Sequence, residues 1–76
     1  LELTKTEFML LATLSARPGK TFTKEELYYR ILEFDSDTEI RVITQYVYQL
    51  RNKLKECNIN PIRSIWGIGY RWVENQ

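Results

Sequence analysis

Apolar residues fall along this chain in three stretches of helical spacing followed by one of strand character. In the first, Thr4 and Glu7 stand three apart ahead of Phe8, Leu11, Ala12 and Leu14. A Thr with a Glu three residues on is a capping box, and Arg17-Pro18-Gly19 stops the stripe, so the pattern predicts a helix over about residues 5–16. A second box, Thr23 with Glu26, opens a shorter helix carrying Leu27, Tyr28, Ile31 and Leu32 to about residue 33. The Lys20-Thr21-Phe22 link between the two has room for a strand residue or two. From about Thr38 to Glu56, Ile40, Ile43, Val47, Leu50 and Leu54 recur at spacings of three, four, three and four, the clearest helix in the chain. Its β-branched residues lower helix propensity, so packing of the stripe must hold it. Asn58-Ile59-Asn60-Pro61 ends it. Ile62 to Val73 is rich in β-branched and aromatic residues and is interrupted by Gly67-Ile68-Gly69, where glycine permits the positive φ of a tight turn. The predicted order is helix, helix, long helix, β-ribbon, an α+β arrangement.

Composition narrows what such a fold can do. A chain of 76 residues that is 43 % hydrophobic and 13 % aromatic is globular, with one small core and no interior space for a large cofactor. No run approaches the ~18 apolar residues needed to span a bilayer. Histidine is absent and Cys57 is the single cysteine, which excludes a disulfide framework, a self-contained zinc site and a histidine-dependent triad. Ser15, Ser36 and Ser64 stand beside no base-and-orienter pattern, so no catalytic activity, cofactor or metal is expected. Glu33, Asp35, Asp37 and Glu39 alternate without a base. Read as a calcium loop from Asp35, they fail, since the sixth position is Ile40 and the twelfth is Tyr46. Ser36 with Glu39 is instead a third capping box. The chain starts at Leu1 with no signal-peptide pattern, and reads as a cytoplasmic piece of a longer protein.

Charge then points to a partner. Residues 1–39 carry five bases against eight acids, and residues 40–76 carry six bases against Glu56 and Glu74 alone. The halves are thus −3 and +4, and the positive half holds the long helix and the ribbon. One helix and one ribbon on a basic half suit a polyanion, so nucleic acid is the first partner to test. At 100° per residue, Val42, Tyr46, Gln49 and Lys53 form a stripe roughly 90° from the apolar one. On duplex DNA, Gln49 suits an adenine edge, Val42 a thymine methyl, and Tyr46 and Lys53 phosphates. The alternative is a solvated face with tyrosines covering core. Arg41 and Arg51 read as phosphate clamps, against an ion pair of Arg41 with Asp37 four residues earlier. Trp66 suits a minor-groove or sugar contact, a protein interface or packing against the helix, and the sequence does not choose.

The strings LTKTEFMLLATLSARPGKTFTKEEL, IRVITQYVYQLRNKL and IRSIWGIGYRW resemble, in order and spacing, the OmpR/PhoB-type winged-helix effector domain of bacterial two-component response regulators. The likeness runs from Leu3 to about Trp72. Its most specific part is Leu50-Arg51-x-Lys53-Leu54 followed by Gly67-x-Gly69-Tyr70-Arg71. The resemblance implies a winged helix-turn-helix of three helices followed by a β-hairpin wing. Helix 38–56 would lie in the DNA major groove and hairpin 62–72 beside the minor groove, with Ser64, Trp66, Gly67, Tyr70 and Arg71 as wing contacts. It also implies RNA polymerase as a partner of the loop carrying Glu33, Asp35 and Asp37, and a dimer on DNA. Where the family's recognition helix is usually rich in Arg and His, this one has Tyr46, Tyr48 and Gln49, and Trp66 stands where an Arg is common. Family members carry a small sheet before the first helix. Its absence here is what is expected if the chain, read as a single domain over residues 1–76, is a C-terminal piece of a longer regulator that was truncated or whose upstream part lies before Leu1. The competing expectation is a winged-helix module that binds protein instead of DNA.

Overall fold

The computed structural model describes residues 2–31 and 39–74. Helix α1, Lys5–Ser15, starts at Thr4, whose hydroxyl accepts the Glu7 N–H at 3.1 Å while the Glu7 carboxylate accepts the Thr4 N–H at 2.9 Å. Both halves of the predicted box are therefore formed. Arg17 to Lys20 close a turn through the Lys20 N–H to the Arg17 carbonyl at 3.1 Å, and the Gly19 N–H goes on to the Trp72 carbonyl at 2.9 Å. Strand β1, Thr21–Thr23, follows, and its last residue also caps helix α2, Lys24–Ile31. There the Glu26 N–H donates to Thr23 Oγ1 at 3.0 Å and the Thr23 N–H to Glu26 Oε1 at 2.9 Å. The predicted end of α2 near residue 33 and the Ser36 cap lie outside the described residues.

The long helix α3 is Val42–Glu56, shorter than the pattern from Thr38 predicts. Thr38 itself lies outside the described residues, but residues 39–41 are a turn. The N–H groups of Val42, Ile43 and Thr44 bond three residues back, to Glu39, Ile40 and Arg41, at 3.0, 3.1 and 3.2 Å. Apolar spacing alone cannot separate such a tight turn from a first helical turn. The far end is sharply defined. Asn58 takes φ +64°, its N–H bonds the Lys55 carbonyl at 2.9 Å, and the Ile59 N–H bonds the Leu54 carbonyl at 3.1 Å, which is a Schellman cap.

Strands β2, Ile62–Ile65, and β3, Gly69–Trp72, form the expected hairpin. It is not a lone ribbon: β1 pairs antiparallel with β3, giving a three-stranded sheet in the order β1-β3-β2 with Phe22 opposite Tyr70 and Ser64 opposite Tyr70. The turn at 66–68 is closed by the Ile68 N–H to the Ile65 carbonyl at 2.9 Å, and Gly67 has φ +75°. Gly69 does not have a positive φ; its role differs from the turn role predicted for it. A Cβ there would overlap the Phe22 carbonyl oxygen, so Gly69 is what lets the backbone of β1 lie against β3. The core joins Leu10 and Leu14 of α1, Leu27 and Ile31 of α2, and Ile43, Val47, Leu50 and Leu54 of α3 to Phe22, Ile62 and Tyr70 of the sheet. The α3 stripe is the one the spacing predicts. No described helix is long and apolar enough to cross a membrane.

Candidate nucleic-acid interface

With its apolar stripe buried, α3 has two flanks and an outer face. One flank carries Val42, Tyr46 and Lys53, all half-buried; Tyr46 packs against the core and Lys53 reaches Glu7 of α1. The flank nearest the sheet carries Arg51. The outer face presents Thr44, Gln45, Tyr48, Gln49 and Asn52 to solvent. Of the predicted stripe, only Gln49 is exposed.

Arg51 places the wing. Its Nη2 donates to the Ile62 carbonyl at 3.0 Å and to Ser64 Oγ at 2.8 Å, and its guanidinium lies 5.7 Å from the centroid of the Tyr70 ring. A planar donor fork held by two oxygens and an aromatic face is a rigid strut, so α3 and β2 are kept side by side. Arg51 is thereby engaged within the chain through Nη2, Ser64 accepts from it and keeps its own O–H for a phosphate, and Tyr70 is buried under the wing, 6 % exposed. Arg71, also predicted as a contact, is half-buried and donates through Nε and Nη2 to Thr21 Oγ1 at 3.0 and 2.9 Å, clamping β3 to β1. Trp66 stands at the wing tip, 96 % exposed, which removes packing against the helix from its three readings.

Lys53 is placed differently from its predicted phosphate role. Its Nζ lies 2.6 Å from Glu7 Oε1 and 2.9 Å from the Glu2 carbonyl. Glu7 is 2 % exposed, so this ion pair locks α3 onto the start of α1. Burial pushes the Glu7 carboxyl up, but the hydrogen bonds from Lys53 and Thr4, with the Lys53 charge, outweigh it and hold the group below its ordinary value. Arg41 sits at the α3 N-cap, makes no side-chain cap, and pairs through Nε with Glu39 at 2.9 Å. Both partners are largely exposed, and such a pair contributes little, so a phosphate can displace it. The alternative partner Asp37 lies outside the described residues, as do Glu33 and Asp35.

The arrangement is an exposed polar helix face beside a rigid hairpin, with Arg41 at one end. The family described as transcriptional regulatory protein, C terminal, matches residues 1–72. The chain belongs to this family. Among relatives in this C-terminal regulatory family, the transcriptional regulatory protein SpaR of Bacillus subtilis is 36 % identical over 72 residues, covering 95 % of the chain and 33 % of SpaR. The nisin biosynthesis regulatory protein NisR of Lactococcus lactis is 39 % identical over 70 residues, covering 92 % of the chain and 31 % of NisR. The chain spans about a third of the length of these curated relatives. Among solved structures, the DNA-binding domain of the response regulator AdeR, in complex with an intercistronic region, aligns at a TM-score of 0.86 with 33 % identity, over 97 % of the chain and 74 % of that structure.

Within this family fold, residues beyond those predicted enter the site. Thr44, Gln45, Tyr48 and Asn52 point away from the core. The direction opposite the buried stripe would have found Gln45, Tyr48 and Asn52; of the adjoining stripe, Lys53 is taken by Glu7 of α1 while Gln49 stays exposed. Lys24, the first residue of α2, lines a cleft of about 260 Å³ with Ser64, Trp66 and Tyr70 and has no ion pair among the described residues. Its position after a strand residue gave no signal, since the pairing of β1 with the hairpin is what brings it there.

Proposed function

We infer that this chain is a winged-helix domain that binds duplex DNA sequence-specifically to regulate transcription, the output part of a two-component regulator acting in the cytoplasm. The observation that carries this is the Arg51 strut, which sets the polar outer face of α3 beside the wing on one side of the molecule. Helix α3 would read base edges through Gln45, Gln49 and Asn52, while Arg41, Tyr48 and Lys24 hold phosphates. No catalytic step is assigned to any residue. Replacing Arg41 by Ala should weaken binding to every duplex alike and flatten the log–log salt slope by about one unit. Replacing Gln49 by Ala should cost about 1–3 kcal/mol on the preferred duplex alone. Equal loss on preferred and random DNA would remove Gln49 from the reading set.

The reading extends to a longer regulator of which this is the C-terminal domain, assembling as a dimer on DNA. Glu33, Asp35 and Asp37 are proposed to meet RNA polymerase, supported by a run of acids without an intervening base. Exchanging Glu33 and Asp35 for Ala should leave DNA affinity and melting temperature unchanged while transcription activation falls. Unchanged activation would reject the contact.

A further inference from the structure

We propose that the wing tip acts as an uncharged wedge, Trp66 pressing on a base-pair step of the minor groove with Ile68 beside it, so that this domain selects deformable steps at that position. The inference rests on the DNA-binding reading above. Three observations carry it.

The first is chemical. Trp66 is 96 % and Ile68 52 % exposed, and the turn 66–68 contains no charge. A charged side chain would seek the strong negative potential of a narrow A·T groove. An indole and an aliphatic chain gain instead from apolar contact with bases and sugars, and apolar side chains inserted at a step unstack and kink the duplex. The second is mechanical. The tip is fixed by the Ile68 to Ile65 bond, by hydrogen-bonded strands on both sides of the turn, and by the hold of Arg51 on Ser64. A tip ordered before binding loses little entropy on insertion. The third is continuity and size. The Arg51 strut joins the wing to the α3 face, and Lys24 offers an unpaired ammonium across the cleft for the adjacent phosphate. One indole and half an isoleucine fall far short of the roughly 1,200–2,000 Å² of a stable protein interface, whereas a wedge at a base step needs only an inserted apolar side chain.

The test uses the 76-residue chain and a duplex that it selects from a random pool, carrying either a flexible TA step or a stiff A-tract at the wing position. The wild-type chain should bend the TA duplex by about 20–90° and brighten a 2-aminopurine placed at the step. Trp66→Ala should abolish both and weaken binding to the TA duplex about tenfold, with little change on the A-tract and none in the unfolding midpoint. Trp66→Phe should retain most of the effect. If Trp66→Ala binds and bends DNA as the wild type does, the wedge is wrong and the DNA-binding reading stands. If the wild-type chain binds no duplex, both fall.

Discussion

Replacing Gly69 by alanine lowers the stability of this domain by about 3 kcal/mol or more. A domain of this size holds only about 4–11 kcal/mol in all, so one methyl group removes a large part of it. The new Cβ would overlap the Phe22 carbonyl oxygen and stand 2.8 Å from its carbonyl carbon and 2.9 Å from Thr23 Cα. These are backbone atoms of the neighbouring strand, so no side-chain rotation gives relief. Relief requires β1 to move off β3, which uncovers Phe22, a residue 1 % exposed in the core. Gly67→Ala is the control. Its Cβ meets nothing within 4 Å, and only the φ of +75° opposes it, at about 1–2 kcal/mol. Urea unfolding followed by circular dichroism ranks the two. A Gly69→Ala midpoint equal to that of wild type would mean that β1 does not lie against β3.

Lys53→Met costs about 2 kcal/mol at neutral pH, by leaving the Glu7 carboxylate buried without its ammonium. The figure is below that of a fully buried pair because the Lys53 side chain is 32 % exposed. The pH dependence follows from the lowered Glu7 carboxyl. A group held below its ordinary value of 4.5 in the folded chain stabilises above that value, and the stability is lost as pH falls through the folded one. In Lys53→Met the lowering is reduced, so less remains to be lost in acid. The gap between wild type and variant should narrow as pH drops below 4.5, measured by urea midpoints across that range. A gap independent of pH would show that Lys53 contributes through its bond to the Glu2 carbonyl rather than through Glu7.

Local signals in the sequence sufficed for the capping boxes at Thr4 and Thr23, the α3 core stripe and the hairpin, because each is written in residues three or four apart or in a run of strand formers. What was not legible depends on partners distant along the chain. Nothing near Lys53 shows that its counter-charge is Glu7, and nothing near Arg51 shows that Ser64 and the Ile62 carbonyl will occupy it. A helical wheel treats both flanks of α3 as free, and tertiary contacts then claim one for α1 and the other for the wing. The same cause hid the role of Gly69, whose need for hydrogen in place of a side chain comes from a strand some 46 residues earlier. Trp66 was legible only as a question, since full exposure is a property of the folded tip.

The most direct measurement of the central claim is the equilibrium affinity of the chain for its selected duplex and for a scrambled duplex of equal length, taken across a range of salt concentrations. The account predicts that log affinity for both falls linearly with log salt, by about 0.9 for each phosphate held, and that the selected duplex remains the tighter ligand throughout. Identical affinities for the two duplexes, or no affinity for either at low salt, would contradict it.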